Sequence, residues 1–374
     1  MEGPAERVRA RIARQGPLPW SAVVDAALYG PGGFYTGGGG AGRTRDYLTS
    51  PSLGPLFGAV VSRAIDECWV RCGRPDPWLV VEAGAGAGDL ALAVLAAQPE
   101  CRAALRYVAV EISPALRAVA SDRLPAEDPA HLLGPLVPAD EPERRHRPGL
   151  GPVVAVLPEM PAGPFTGMII ANELLDNLPF DVYERSAGEW REVRVTASSD
   201  LGEIVIPAAP EIAELLEKLA PGAPTGARVP WQAFAASWWR DAVASVECGQ
   251  VLAVDYGRST AEMAADGDWL RTYRHGGRGT APLAALGTQD ITTDVAVDQL
   301  QQVDPAVRVT TQAAWLENHG LDALTDAAAV AWRARAAVGD LDALRARSRV
   351  GEGTALVDTR GLGSFVALER VIGD

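Results

Sequence analysis

The chain has 374 residues, 48% of them hydrophobic, and its 48 acidic against 34 basic side chains give a formal net charge of -14. That length suits one large α/β domain with insertions or two domains, and that hydrophobic content fills a sizeable core. The acidity argues against a nucleic-acid backbone as partner, no run of residues is long and apolar enough to cross a membrane, and the opening residues lack the apolar centre of a secretory signal. The expectation is a cytoplasmic protein with neither nucleic acid nor membrane as partner. The 4 cysteines, Cys68, Cys72, Cys101 and Cys248, show no C-x-x-C spacing and no histidine at ligand spacing, so neither a metal site nor a disulfide framework is expected.

In chain order, a short amphipathic helix around Val8 to Ile12 meets Pro17 and Pro19, and a second helix covers Ala22 to Leu28. Tyr29 to Arg45 holds too many glycines for a packed element and reads as a mobile loop, either a lid or a connector. Ser50 before Pro51 suits a helix start, and the spacing of Leu56, Val60 and Ala64 predicts a long helix from about Leu53 to Arg71. Residues 1–75 thus read as an N-terminal cap of helices and glycine-rich loop, and residues 76–374 as the core.

The core opens on Val80 to Leu90, VVEAGAGAGDL. β-branched residues lead through Glu82 into Gly84, Gly86 and Gly88, and an apolar helix from Leu90 to Ala97 follows at once. A loop of this kind offers bare main chain at a helix start, on which a flat ligand can lie. A dinucleotide fingerprint would need glycine at position 89, where the chain has Asp89. The observed E-x-G-x-G-x-G is the form found in S-adenosylmethionine-dependent methyltransferases. A second buried strand, Tyr107 to Ser113 (YVAVEIS), carries Glu111, the acid expected to take ribose hydroxyls. Glu82, Gly84, Gly86, Gly88 and Glu111 are therefore candidate cofactor residues, together with Thr49 and Ser50 of the DYLTSP segment, and S-adenosylmethionine is the candidate cofactor.

Beyond a helix near Ala115 to Arg123 and an unassigned stretch from Pro125 to Gly151, Val153 to Leu157 is a third strand. Gly167 to Ala171 is a fourth, delivering Asn172 to Phe180 (NELLDNLPF) to the carboxyl edge of the sheet, where open α/β sheets bind ligands. An insertion at about 183–249 holds a hairpin, an acidic helix from Glu211 to Leu219 and an aromatic helix from Trp231 to Trp239 whose tryptophans read as core. Gln250 to Gly257 resumes the sheet, and the last hundred or so residues read as further core, ending in an extended Gly363 to Val371. The alternation predicts a doubly wound, Rossmann-like parallel sheet.

The order of motifs resembles the MidA family of methyltransferases, which includes the mitochondrial arginine methyltransferase that assists assembly of respiratory complex I. Its marks are GFY followed by DYLTSP, the glycine strand, VEIS, ANELLDNLP, GEWREV, VDYG, LRTYRHG, GTQDITTDV and TQAAWL. The family generally has Gly-Asp-Phe where this chain has Arg45, Asp46 and Tyr47, a glutamate where it has Ser52, and an aspartate where it has Ala296. The resemblance implies the class I methyltransferase fold, S-adenosylmethionine as donor and a protein side chain, with arginine favoured, as acceptor.

Asn172, Glu173 and Asp176 are the candidate catalytic residues. Methyl transfer from a sulfonium needs an in-line nucleophile with a free lone pair, so positioning supplies most of the catalysis. If the turn after the fourth strand is helical, Glu173 and Asp176 face the same way and could clamp a guanidinium. Otherwise Asp176 satisfies local backbone groups and Glu173 is solvated. Asp255 and Tyr256 read at least as readily as structural closure of the sheet edge, and Arg271, Arg274, His275 and Arg278 as a solvated basic loop. Two other functions stay open: a small-molecule methyltransferase, and a cofactor-binding assembly factor with little turnover.

Overall fold

The computed structural model describes residues 2–37, 39, 49–129, 151–274 and 277–373. They divide into two compact units: Leu48–Asn172 with Ala242–Val254 and Arg308–Asp374, and Met1–Tyr47 with Glu173–Asp241 and Asp255–Val307.

The first unit carries a seven-stranded sheet. Its strands in chain order are β1 (Trp78–Ala83), β2 (Leu105–Val110), β3 (Val153–Leu157), β4 (Phe165–Asn172), β5 (Val246–Asp255, whose last residue opens the other unit), β6 (Arg308–Thr311) and β7 (Val366–Ile372). Every residue of β1 and β2 is buried, as a parallel strand covered on both faces requires, and all are apolar except Glu82 and Arg106. The spatial order is β3-β2-β1-β4-β5-β7-β6. β3·β2, β2·β1, β1·β4 and β4·β5 pair in parallel and β6·β7 antiparallel, which is the doubly wound class I methyltransferase sheet expected. The order reverses between β1 and β4, so the carboxyl ends of those strands flank the topological switch point where such sheets bind ligands.

The strands around that point run close together at their other ends. Gly167 of β4 lies in register with Leu79 of β1 and Gly249 of β5. A Cβ on Gly167 would fall 2.1 Å from the Leu79 carbonyl oxygen, and one on Gly249 1.7 Å from that of Gly167. Only glycine fits this seam.

A short helix, Ser50–Leu53, is capped by Thr49 rather than Ser50, and the long helix is Pro55–Arg71. That helix buries Val60, Val61, Ala64 and Ile65, and its Gly58 sits against Ala93 of the helix Asp89–Ala96. It therefore belongs to the sheet unit, and the cap drawn at residue 75 ends at Tyr47.

The second unit packs the helices Pro4–Gln15 and Trp20–Leu28 with an antiparallel sheet formed by Leu18–Pro19, Asp181–Ser186, Glu189–Ala197, Leu201–Pro207 and Arg228–Trp231. Phe180 anchors its core, stacked on Trp20 at 6.4 Å and edge-on to Trp269 at 6.1 Å between ring centroids. The insertion is wider than 183–249: it begins at Glu173 and takes in Asp255–Val307, where Leu270–Arg274 and Asp290–Thr293 pair with each other. Within it Trp239 is fully buried and donates from Nε1 to Asp304 at 3.0 Å, while Phe234 is exposed.

The glycine-rich segment is packed where it is described. Phe34 is buried, its N–H and that of Tyr35 donate to the carbonyls of Ala27 and Leu28 at 2.9 and 3.0 Å, and Tyr35 stacks on Tyr29. The glycines let the chain fold back on its own helix: a Cβ on Gly33 would meet the Leu28 carbonyl oxygen at 2.8 Å. The remainder of that segment, with the lid or connector reading, Asp46 and Tyr47, lies outside the described residues, as do His275 and most of the unassigned stretch before Gly151.

Candidate functional site

At the carboxyl end of β1 the chain turns through Gly84, Gly86 and Gly88 with φ of 73°, 55° and 81°, and Gly88 caps the helix Asp89–Ala96. The turn is tied to β2: the N–H groups of Gly84 and Ala85 both donate to the Val110 carbonyl at 2.9 Å. Glu111, the residue after β2, is buried and braces the loop, its Oε2 accepting from Gly86 N–H at 2.8 Å and its Oε1 from Ser113 N–H at 2.7 Å. Burial pushes the Glu111 carboxyl up from its ordinary value, and the two amides and Arg117 oppose that shift.

Each Glu111 oxygen holds a second lone-pair direction beyond the amide it accepts, which is the capacity a ribose diol requires. A Cβ built on Gly86 would meet no atom of the described residues within 4 Å, so the main chain there is bare on its open side. Bare backbone beside a buried acid at the switch point fits the adenosyl half of S-adenosylmethionine.

The other cofactor candidates stand differently. Glu82, the penultimate residue of β1, is buried and accepts from the Tyr107 hydroxyl at 2.7 Å. Burial pushes its carboxyl up to about 8. Ser50 is fully buried and its hydroxyl donates to Gln312 at 3.0 Å, while the Thr49 hydroxyl meets that of Ser52 at 3.1 Å. Both hydroxyls are thus tied to protein partners. Asn172 ends β4, half-buried, in register with Val254 of β5.

Glu82 allows a prediction. A carboxyl whose folded value of about 8 stands above its unfolded 4.5 holds its proton more tightly in the folded chain, so its contribution to stability is complete below 4.5 and is lost as pH rises through 8. Glu82→Gln keeps an acceptor for Tyr107 and cannot ionise. The difference in thermal midpoint, variant minus parent, should therefore be more positive at pH 8 than at pH 5; calorimetry giving equal differences at both would show that Glu82 titrates normally.

The acids after β4 fall in the second unit. The turn is not helical at its start: Glu173 takes the left-handed region at φ 51°, and only Leu175–Asn177 form a 3-10 turn. The shared helical face expected for Glu173 and Asp176 is therefore absent. Glu173 is half-buried and Asp176 is 4% exposed. Asp176 Oδ2 accepts from the Thr292 hydroxyl at 2.5 Å, and its buried Oδ1 has no hydrogen-bond partner among the described residues.

The local backbone is satisfied by Asp255 instead, whose Oδ2 accepts from Leu175 and Asp176 N–H at 2.9 and 3.2 Å and whose Oδ1 accepts from Tyr256 N–H at 2.8 Å. Beside them Asp290 Oδ1 accepts from Asn177 Nδ2 at 3.0 Å, and the Tyr35 hydroxyl donates to Asn177 Oδ1 at 2.8 Å. Burial pushes Asp176 up to about 6 and Asp290 up to about 8, and Asp255 well above its ordinary value; the charge of Asp176 adds to the shift of both neighbours.

Arg271 corrects the reading of a solvated basic loop. Its side chain is 11% exposed, pairs with Asp294 and lies 5.1 Å over the Tyr256 ring, and its charge lowers the Asp176 carboxyl against the effect of burial. Arg274 and Arg278 are exposed, but they lie on two short paired strands, Leu270–Arg274 and Gly277–Arg278, and not in a loop. Asn177, Asp290 and Thr292 belong to this acid cluster although motif reading passed over them, and the charge of Arg271 acts on it although that residue was read as solvated. The signal available was the GTQDITTDV run itself, in which one acid and two threonines occupy a four-residue strand buried throughout.

The sheet order, the glycine turn and the acid after β2 define a class I S-adenosylmethionine-dependent methyltransferase. The chain belongs to the family described as "Putative S-adenosyl-L-methionine-dependent methyltransferase", whose model matches residues 60–314. It is similar to the Drosophila melanogaster protein named "Protein arginine methyltransferase NDUFAF7 homolog, mitochondrial", with 30% identity over 52% of this chain and 45% of that protein. The mouse protein named "Protein arginine methyltransferase NDUFAF7, mitochondrial" is 24% identical over 83% of this chain and 73% of its own length. The match thus spans about half of the fly relative. Among solved structures, a COG1565 superfamily member from Burkholderia thailandensis bound to S-adenosyl-homocysteine superposes with a TM-score of 0.79 and 25% identity, covering 99% of this chain and 92% of that one.

Proposed function

We propose that this protein transfers a methyl group from S-adenosylmethionine to the guanidinium of an arginine in a protein substrate. The observation that carries the arginine is Asp176, a buried carboxylate with one oxygen unpartnered among the described residues, set among Asp255, Asp290 and Glu173. A guanidinium presents five N–H donors in a fixed plane and carries the positive charge that such a cluster favours. The names of the fly and mouse relatives support the same acceptor.

When bound, S-adenosylmethionine supplies an electrophilic methyl on a sulfonium. Glu111 would hold the ribose hydroxyls, and the bare main chain at Gly86 would let the nucleoside lie against it. Within the second unit, Asp176 is the carboxylate that would receive an N–H of the guanidinium. Methylation of a guanidinium nitrogen releases one proton, and a carboxylate raised to about 6 is matched to accept it near neutral pH. The test is incubation of the purified protein with labelled S-adenosylmethionine and extract of its own cells. Label recovered as methylarginine after acid hydrolysis of the protein fraction is the expected result. Label confined to small molecules would favour a metabolite acceptor, and intact cofactor binding with no label transferred would favour an assembly factor.

A further inference from the structure

We infer that Cys72 and Cys248 form a reversible disulfide that staples the long helix to the central sheet. Cys72 caps the C-terminus of the helix Pro55–Arg71, and Cys248 is the third residue of β5; their sulfurs lie 3.0 Å apart across 176 residues of sequence, and both side chains are half-buried. Proximity here is set by the fold. Arg71, beside Cys72, donates to Gln250 at 2.8 Å, and Gln250 lies two residues along β5 from Cys248 and so faces the same way. Gln250 in turn donates to Glu369 of β7 at 2.8 Å. The nearby Cys68 is fully buried and receives Arg71 Nη2 at 3.2 Å, which leaves Cys248 as the accessible partner of Cys72.

The oxidant is a low-molecular-weight disulfide. One protein thiol loses its proton and attacks a sulfur of that disulfide, releasing one small thiol and leaving a mixed disulfide. The second protein thiol loses its proton and displaces the other small thiol, so two electrons pass to the oxidant and the Cys72–Cys248 bond remains. Burial pushes the Cys72 thiol up to about 12, so the exchange is slow at neutral pH and quickens as the solution is made alkaline. Closing a loop of this length restricts the unfolded chain, and the oxidised form should unfold roughly 5 °C or more above the reduced form.

The experiment equilibrates the purified 374-residue chain with oxidised glutathione at pH 8.5, denatures it, alkylates the remaining thiols and weighs the intact chain. The reduced protein, with its 4 cysteines, takes up 4 alkyl groups. The oxidised protein should take up two fewer, with fragmentation placing the bond between Cys72 and Cys248 and with the higher midpoint reversed by dithiothreitol. Cys248→Ser and Cys72→Ser should each retain every remaining thiol free and show no shift in midpoint under the same treatment. Full alkylation after oxidation, a persistent glutathione adduct, or a bond joining Cys68 to Cys72 would each overturn the assignment.

Discussion

Gly86→Val should abolish measurable binding of S-adenosylmethionine while leaving the chain folded. Position 86 stands at φ 55°, where a β-branched side chain is strained, and the space a Cβ would enter is open among the described residues. The valine thus fills the open face of the loop, where the proposed site would place the nucleoside, and it disturbs the amide that Glu111 accepts. A loss of at least roughly 100-fold in affinity, about 2.7 kcal/mol, is expected. Titration calorimetry measures it, with circular dichroism and the thermal midpoint confirming the fold. Gly86→Ala, with strain but little bulk, should fall between the two. Unchanged affinity in the valine variant would mean that the ligand does not use this loop.

The second large effect is expected at the acid cluster. Asp176→Asn should leave S-adenosylmethionine affinity nearly unchanged and lower transfer to an arginine-bearing substrate by roughly 10- to 100-fold, the value of one charge-assisted hydrogen bond at about 1.5–3 kcal/mol. In the parent, transfer should rise with pH through about 6 as Asp176 loses its proton, and the variant should lack that step. Stability runs the other way. With a folded value of about 6 above an unfolded 3.8, the stabilising contribution of Asp176 is complete below 3.8 and is lost as pH rises through 6. The asparagine variant should therefore melt no lower than the parent at pH 7. An equal loss of activity with a lower melting point and weaker cofactor binding would instead mark Asp176 as structural.

These two sites were unequally legible in the sequence. The cofactor turn is local: Val80 and Val81 announce a buried strand, the glycines announce φ values other residues avoid, and Glu111 ends the next strand a helix and a linker away. The parallel, doubly wound character of the sheet follows from the alternation of strand and helix that begins at Asp76, but the spatial order of its strands does not. The acid cluster is not local. Asp176 owes its burial in part to Thr292, 116 residues on, and Asp255 takes over the backbone-capping role that spacing alone left open to Asp176. Periodicity also reports that a strand has a buried face without naming its partner, which is why Asp290–Thr293 read only as further core, with nothing to show that it pairs with Leu270–Arg274. The glycines after Tyr29 misled in another way, since they read as looseness where Gly33 in fact permits a tight return of the chain onto its helix.

The seam at Gly167 and Gly249 bears on how activity data from this chain are to be interpreted. Both positions lie near the amino ends of β4 and β5, whereas the glycine turn of the proposed cofactor site follows the carboxyl end of β1. Yet a single methyl group at either would drive a backbone carbonyl out of the sheet, so a library scored only by catalytic output would rank these two glycines beside Gly86. Soluble yield separates them, because a variant blocked at the loop still accumulates as folded protein, and one blocked at the seam loses the pairing of strands on which the fold depends.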